Sequence, residues 1–136
     1  MRGVLVGQRV ITLVDTSATH NFIDIGLVEK HGIQIEEFGG IRVRLVDGYV
    51  LNCDHKITEL PLEVNNYAFK EYFYVVPMGD TYIVLGMSWL HDIGEFTLNL
   101  KEMEMRFKVN GKTHILKAIT DTNFGILSFW MMARLI

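Results

Sequence analysis

The chain has 136 residues, enough for one domain with a sizeable core, and its 49% hydrophobic and 21% charged residues are typical of a globular protein. A net charge of -3 and a pI near 5.9 argue against nucleic acid or a membrane surface as a direct partner. Cys53 is the single cysteine and cannot form an internal disulfide, and the five histidines lack the close pairing typical of zinc sites. We therefore expect a reducing compartment, no metal and, because no signal peptide is visible, cytoplasmic synthesis.

Two short apolar segments, residues 4–6 and 10–14, begin the chain and predict a β-hairpin across Gly7. The second segment has the length of a buried strand and ends at a carboxylate, Asp15. Thr16, Ser17 and Ala18 follow, and such small residues allow a tight turn. An aspartate here is equally typical of an ordinary turn or helix cap, so this stretch alone leaves its role open.

Helical spacing begins after this loop, with apolar residues at positions 22, 23, 27 and 28. Thr19 or Asn21 can cap the start of the predicted helix, and His31 followed by Gly32 can end it. We therefore predict a short helix directly after the loop.

The clearest hairpin pattern lies between residues 39 and 53. Ile41, Val43 and Leu45 alternate there with arginines, and the two arms meet at Asp47-Gly48, which favours a two-residue turn. Residues 60–64 and 68–76 predict two further strands around an Asn-Asn turn. These segments together indicate an antiparallel meander.

A strand, a glycine and a short helix are predicted over residues 82–94, with Gly86 at the junction and Ser88 as the helix cap. A glycine lets two backbone segments approach closely, because it has no β-carbon. Residues 97–100 and 103–116 then predict strands, with a hairpin turn at Asn110-Gly111. Alternating apolar residues at positions 103, 105, 107 and 109 indicate core packing rather than a cofactor site.

Residues 119–136 differ from residues 1–118 in being strongly apolar after position 123. The segment is too short and too interrupted to span a bilayer, which requires about 20 apolar residues. Two interpretations stay open: a terminal strand or helix packed on its own domain, or a piece of a subunit interface.

Three parts of the chain, in this order, resemble retroviral-type aspartic proteases, specifically those in the Gag-Pol polyproteins of plant gypsy-type LTR retrotransposons. Asp-Thr-Ser-Ala followed by Thr-His-Asn-Phe-Ile resembles the active-site loop. The hairpin over residues 39–53 resembles the flap that closes over bound peptide, and Val84-Leu85-Gly86 with its helix resembles the second half of the family signature. The resemblance covers roughly residues 4–116. It implies an all-β, closed-barrel-like, retropepsin-like domain over residues 1–118, with one or two short helices, that forms a two-fold dimer.

Peptide hydrolysis by carboxylates needs two of them, because one must be ionised to take a proton from water while the other must be protonated to donate to the carbonyl oxygen. The sequence contains one such loop, so two chains must each supply an Asp15. The resemblance gives Thr16 the supporting role of holding both carboxylates in place. It implies a homodimeric aspartic endopeptidase that needs no cofactor and processes the polyprotein containing it.

The resemblance also places substrate as an extended strand between the loop and the flap. The residues expected to contact it are Ala18, Val46, Asp47, Gly48, Tyr49 and Val84.

Ser17 stands where this family has glycine. A hydroxymethyl group there would crowd the substrate or the catalytic water, or require a backbone angle that costs about 1 to 3 kcal/mol. Two alternatives to an active protease are therefore kept. One is a catalytically weakened or inactive homologue that serves as a dimerisation or peptide-binding module, and the other is an unrelated small β-barrel that binds a ligand.

Overall fold

The computed structural model describes residues 8–44, 48–79, 82–119 and 128–135. These residues form ten strands and two short helices, which confirms the predicted all-β class. In chain order the elements are β1 (Arg9–Asp15), β2 (Phe22–Asp24), α1 (Ile25–His31), β3 (Glu36–Arg44), β4 (Val50–Val64), β5 (Tyr67–Val76), β6 (Tyr82–Leu85), α2 (Met87–Ile93), β7 (Phe96–Asn99), β8 (Glu104–Val109), β9 (Lys112–Lys117) and β10 (Ser128–Leu135).

Six strands close into a barrel in the order β10-β1-β6-β2-β5-β4, because β10 pairs with β1 on one side and with the end of β4 on the other. The barrel is mixed: β1 runs parallel to β6 and β2 runs parallel to β5, whereas the other pairs are antiparallel. The closed barrel predicted from the sequence is confirmed. β3 pairs with β4 outside this ring, and in the described chain it is the edge strand of the sheet.

A second sheet, β7-β8-β9, packs against the barrel through a shared core. Met105 and Phe107 of β8 are buried in this core, as their alternation predicted. The turn between β8 and β9 has the positive φ angles, 53° at Asn110 and 77° at Gly111, that a two-residue hairpin requires. The largest fully buried side chains come from both sheets and both helices and include Leu27, Phe73, Trp89, Met105, Leu116 and Met131.

The first helix starts later than predicted, because residues 22 and 23 belong to β2 and pair with β5 and β6. Thr19 and Asn21 therefore do not cap it. The cap is Asp24, whose carboxylate accepts a backbone N–H bond of 2.8 Å from the first turn of α1. Gly32, with a φ of 63°, ends the helix as predicted.

Three predicted features lie wholly or partly outside the described residues. These are the strand over residues 4–6, the turn at Asp47-Gly48 and much of the apolar C-terminal segment. Within that segment β10 pairs with β1 from Arg9 opposite Arg134 to Asp15 opposite Ser128, so this part lies in the barrel. A place at a subunit interface stays a prediction. Neither described helix is long and apolar enough to cross a bilayer.

Candidate active site

Asp15 is the last residue of β1, a strand held between β10 and β6. Val10 and Val14 of this strand are buried in the core, and their packing holds β1 in place. The strand therefore delivers the half-buried Asp15 side chain from a rigid element to the surface of a groove.

A tight turn follows and holds the Asp15 carboxylate in one orientation. Ser17 donates to Asp15 Oδ1 twice, from its backbone N–H at 2.9 Å and from its hydroxyl at 2.6 Å. The Ala18 N–H donates to the Asp15 carbonyl oxygen at 3.2 Å. Ser17 has no positive φ, so the backbone strain considered for a serine at this position does not arise.

The junction of β6 and α2 passes directly beneath this loop at Gly86. A β-carbon on Gly86 would lie 2.4 Å from the His20 carbonyl oxygen and 2.6 Å from that of Ala18, closer than any side chain tolerates. The next residue donates its N–H to the Ala18 carbonyl at 2.8 Å. The close approach predicted for Gly86 is therefore present.

Ser88 does not cap α2, contrary to the sequence prediction. The cap position is Gly86, which has no side chain to offer. The Ser88 hydroxyl instead donates to the Thr19 carbonyl oxygen at 3.2 Å. This bond adds a further connection between the second helix and the Asp15 loop.

The position of Asn21 beside the candidate site is not predicted by the sequence pattern. Its side chain is buried, accepts from the Gly86 N–H at 2.9 Å and donates to the Tyr72 carbonyl oxygen at 3.0 Å. It thereby connects the loop to β6 and β5. The asparagine lies within the Thr-His-Asn-Phe-Ile stretch, but no local pattern distinguishes a buried bridging amide from a helix cap.

Glu71 of β5 lies near Asn21. Burial raises the pKa of Glu71, the N–H bond from Tyr72 opposes this shift, and the nearby Asp92 carboxylate reinforces it.

The groove has a volume of about 930 Å³ and lies between the loop, the end of β3 and the adjoining ends of β5 and β6. Of the predicted site residues, Asp15, Ser17, Ala18 and Val84 line it. Thr16 is half-buried within the loop. Gly48 and Tyr49 are exposed and do not line the groove, while residues 46 and 47 lie outside the described residues.

Several groove residues were not predicted as site residues. Tyr74 of β5 contacts His20 of the loop, with ring centroids 5.3 Å apart, and both line the groove. Arg42 and Arg44 reach it from β3. The hairpin alternation showed that these arginines share a face, but the position of the loop opposite β3 depends on pairing between strands distant in sequence.

The arrangement offers one carboxylate per chain, at a strand end beside a groove lined by aromatic, aliphatic and arginine side chains. In the described ranges no cluster of three or more histidine, cysteine or acidic side chains could hold a metal ion. A carboxylate held at the groove suits acid–base chemistry when a second copy supplies its partner.

One solved structure, the retroviral protease-like domain of Ddi1 from Leishmania major, has the same fold. It aligns with a TM-score of 0.57 and 14% sequence identity, over 89% of this chain and 94% of that chain. A comparison with curated protein sequences gives no match.

The family comparison covers most of the chain. Residues 11–111 match the model of the PEG10/RTL1 protease domain, a range that contains the Asp15 loop, the strands of the β3–β4 hairpin and the crossing at Gly86. With its retropepsin-like barrel and this match, the chain belongs to the PEG10/RTL1 protease domain family.

Proposed function

We propose that the protein is a homodimeric aspartic endopeptidase in which the Asp15 carboxylates of two subunits activate water for peptide-bond hydrolysis. The observation that carries this proposal is the position of Asp15, at the end of a core strand and beside the groove, with Oδ1 held by two bonds from Ser17. The protease family of the chain supports the same class of chemistry.

In the proposed reaction the ionised Asp15 takes a proton from water while the protonated Asp15 donates its proton to the carbonyl oxygen of the peptide. Water oxygen bonds to the carbonyl carbon, and a tetrahedral diol results. The newly protonated Asp15 then protonates the amide nitrogen as the C–N bond breaks, and the diol collapses to a carboxylic acid by giving one hydroxyl proton to the other, ionised Asp15. Since like charges at contact distance cannot both ionise freely, we expect activity at acidic or mildly acidic pH.

Substrate is proposed to lie as an extended strand between the loop and β3. The outer edge of β3 pairs with no strand of the described chain, so its main-chain groups are available to a bound peptide. Val43, Tyr74 and Val84 offer apolar contacts from the groove walls. Residues 46–49 are proposed to close over the peptide as the tip of the flap, and Thr16 is proposed to hold the paired loops.

The biological setting is a further part of this proposal. The resemblance of residues 15–23 supports an origin in the Gag-Pol polyprotein of a plant gypsy-type retrotransposon, with processing of that polyprotein in the cytoplasm. Nucleic acid and membranes are not proposed as direct partners.

A catalytically weakened, peptide-binding homologue is the second candidate. Its support is that the Ser17 hydroxyl occupies Asp15 Oδ1 at 2.6 Å, an oxygen that water would otherwise approach.

The test is digestion of a mixed peptide library at about pH 4 to 6, where a carboxylate pair shares one proton, with and without a transition-state-mimicking aspartic-protease inhibitor. Asp15→Asn keeps the side-chain shape and should reduce cleavage by at least about a thousandfold while thermal unfolding stays close to that of the parent. Asp54→Asn, an exposed carboxylate on β4 outside the groove, is the matched control and should cleave normally. Cleavage by Asp15→Asn at the parental rate would exclude the protease proposal.

A further inference from the structure

Charge is distributed unevenly along β3. Glu36 and Glu37 lie at its beginning and have local partners: the Thr58 hydroxyl donates to Glu36 at 2.7 Å, and His55 lies 3.8 Å from Glu37. An irregularity in the pairing with β4 separates them from the second half of the strand. Arg42 and Arg44 lie in that second half, which lines the groove.

Neither of these two arginines forms an ion pair or side-chain hydrogen bond within the described residues. Arg106, by contrast, contacts Glu104 at 2.8 Å, and Arg134 pairs with Glu63. Of the described residues that line the groove, the charged ones are Arg42, Arg44 and Asp15. Cationic groups therefore outnumber the catalytic carboxylate on this surface.

The spacing of the two arginines matches an extended peptide. Val43, between them, is buried with Cys53 and Val76, whereas Arg42 and Arg44 are exposed, and all three residues contribute to the groove lining. Alternate residues of a strand lie about 6.5 to 7 Å apart on one face. A peptide added along the open edge of β3 presents its own alternate side chains at the same repeat.

We propose that Arg42 and Arg44 are specificity-determining residues that make the groove select peptides with glutamate or aspartate side chains beside the cleaved bond. The planar guanidinium suits this role because it binds a carboxylate through two parallel N–H bonds. The proposal rests on the proposed function in taking the groove as the peptide site, but it concerns binding and can be tested without cleavage.

The experiment measures binding to the Asp15→Asn protein, in which a bound peptide stays intact. The probes are two short fluorescein-labelled peptides with a central Phe-Phe pair, one with flanking glutamates and one with glutamines in their place. At about pH 6, where glutamate is ionised, fluorescence anisotropy should show the glutamate peptide binding about threefold to tenfold more tightly.

Substitution of both arginines, Arg42→Gln with Arg44→Gln, should abolish this preference while binding of the glutamine peptide changes little. Arg106→Gln removes an exposed arginine from β8 and should leave the preference intact. Raising the salt concentration from about 50 mM to about 500 mM should weaken the preference for the glutamate peptide, because salt screens the pairing of exposed charges. A loss of shape in the groove would instead weaken binding of both peptides.

Equal binding of the two peptides by the Asp15→Asn protein would overturn this inference, as would a preference that persists in the double arginine variant. Failure of the proposed function is a separate result. If the Asp15→Asn protein prefers the glutamate peptide but the parent cleaves no peptide, the arginine site is retained and the peptidase proposal is rejected. If the parent cleaves peptides efficiently but the glutamate preference is absent, the peptidase proposal is retained and the arginine site is rejected.

Discussion

Ser17 gives two hydrogen bonds to a single oxygen of Asp15, one from the backbone N–H and one from the hydroxyl. Ser17→Gly removes the hydroxyl bond and retains the backbone bond. A hydrogen bond to a charged group contributes about 1.5 to 3 kcal/mol. Without the Ser17 hydroxyl bond, Asp15 Oδ1 has a free position at which water can bind. We expect peptide cleavage by Ser17→Gly to be faster, by roughly threefold to tenfold in kcat/KM.

Ser17→Ala separates the two effects of the serine. If the hydroxyl bond alone limits activity, the alanine and glycine variants should be equally fast; if the β-carbon crowds the substrate, the glycine variant alone should improve. A glycine variant slower than the parent would show that the Ser17 hydroxyl assists the reaction. The expectation that this serine hinders catalysis would then be wrong.

His31 links stability to pH. It is buried in α1, its Nδ1 has no hydrogen-bond partner among the described groups, and burial, followed by the nearby Lys30, lowers its pKa from 6.5. The unfolded chain therefore binds a proton at a higher pH than the folded chain does. Stability should be unaffected by this group above about pH 6.5 and should fall as pH decreases below it.

His31→Gln removes this titration, so its urea midpoint should decline less than that of the parent between about pH 8 and pH 5.5. His91→Gln, at an exposed position on α2, is the control and should follow the parent. If the urea midpoints of the parent and His31→Gln decline equally with pH, His31 is not the source of the pH dependence.

At the scale of elements, the crossing of the β6–α2 junction under the loop depends on Gly86. In Gly86→Ala the added methyl group meets backbone oxygens 2.4 and 2.6 Å away, which cannot move without displacing the loop that carries Asp15. We expect a loss of about 1 to 3 kcal/mol or more in stability, together with loss of cleavage. Gly39→Ala is the matched control in calorimetry and activity assays, because a β-carbon there meets nothing within 4 Å. Normal stability of Gly86→Ala would show that the loop is not held as described.

Elements defined by local sequence were predictable. The β1 strand ending at Asp15, the hairpin strands β8 and β9 and the glycine at the crossing each have a signal within a few residues. The error at β2 has a physical reason: two adjacent apolar residues fit a helix face and a short strand equally well. Pairing with β5 at positions 74 to 76 and with β6 at positions 83 and 84, more than 50 residues away in sequence, decides in favour of the strand.

The unpredicted part of the site has the same origin. Asn21 bridges Gly86 and Tyr72, and Arg42 and Arg44 line a groove together with a loop that comes earlier in the chain. These contacts follow from the closed barrel and its parallel pairings, for which no short motif exists. Local pattern therefore identified the carboxylate, while tertiary pairing determines what surrounds it.

At the scale of the whole molecule, one question is where a second copy would contact the first. β10 pairs with β4 through Arg134 and Leu135, and along the same strand the Ile119 N–H donates to the Trp130 carbonyl oxygen at 2.9 Å. The first residue of β10, Ser128, lies opposite Asp15. The end of β10 beside the carboxylate is therefore the surface that we expect to take part in the proposed two-fold contact.

Subunit mixing tests whether two chains form one site. Parent protein and an equal amount of Asp15→Asn are mixed and allowed to exchange subunits, and cleavage is compared with that of the parent at the same total concentration. If each active centre needs Asp15 from both chains, random pairing leaves about one quarter of the dimers active. If each chain works alone, about half of the activity should remain. Mixing the parent with Asp54→Asn should retain full activity, because that carboxylate lies outside the groove. Half activity in the Asp15→Asn mixture, together with a monomer in sedimentation at the assay concentration, would exclude the dimeric site.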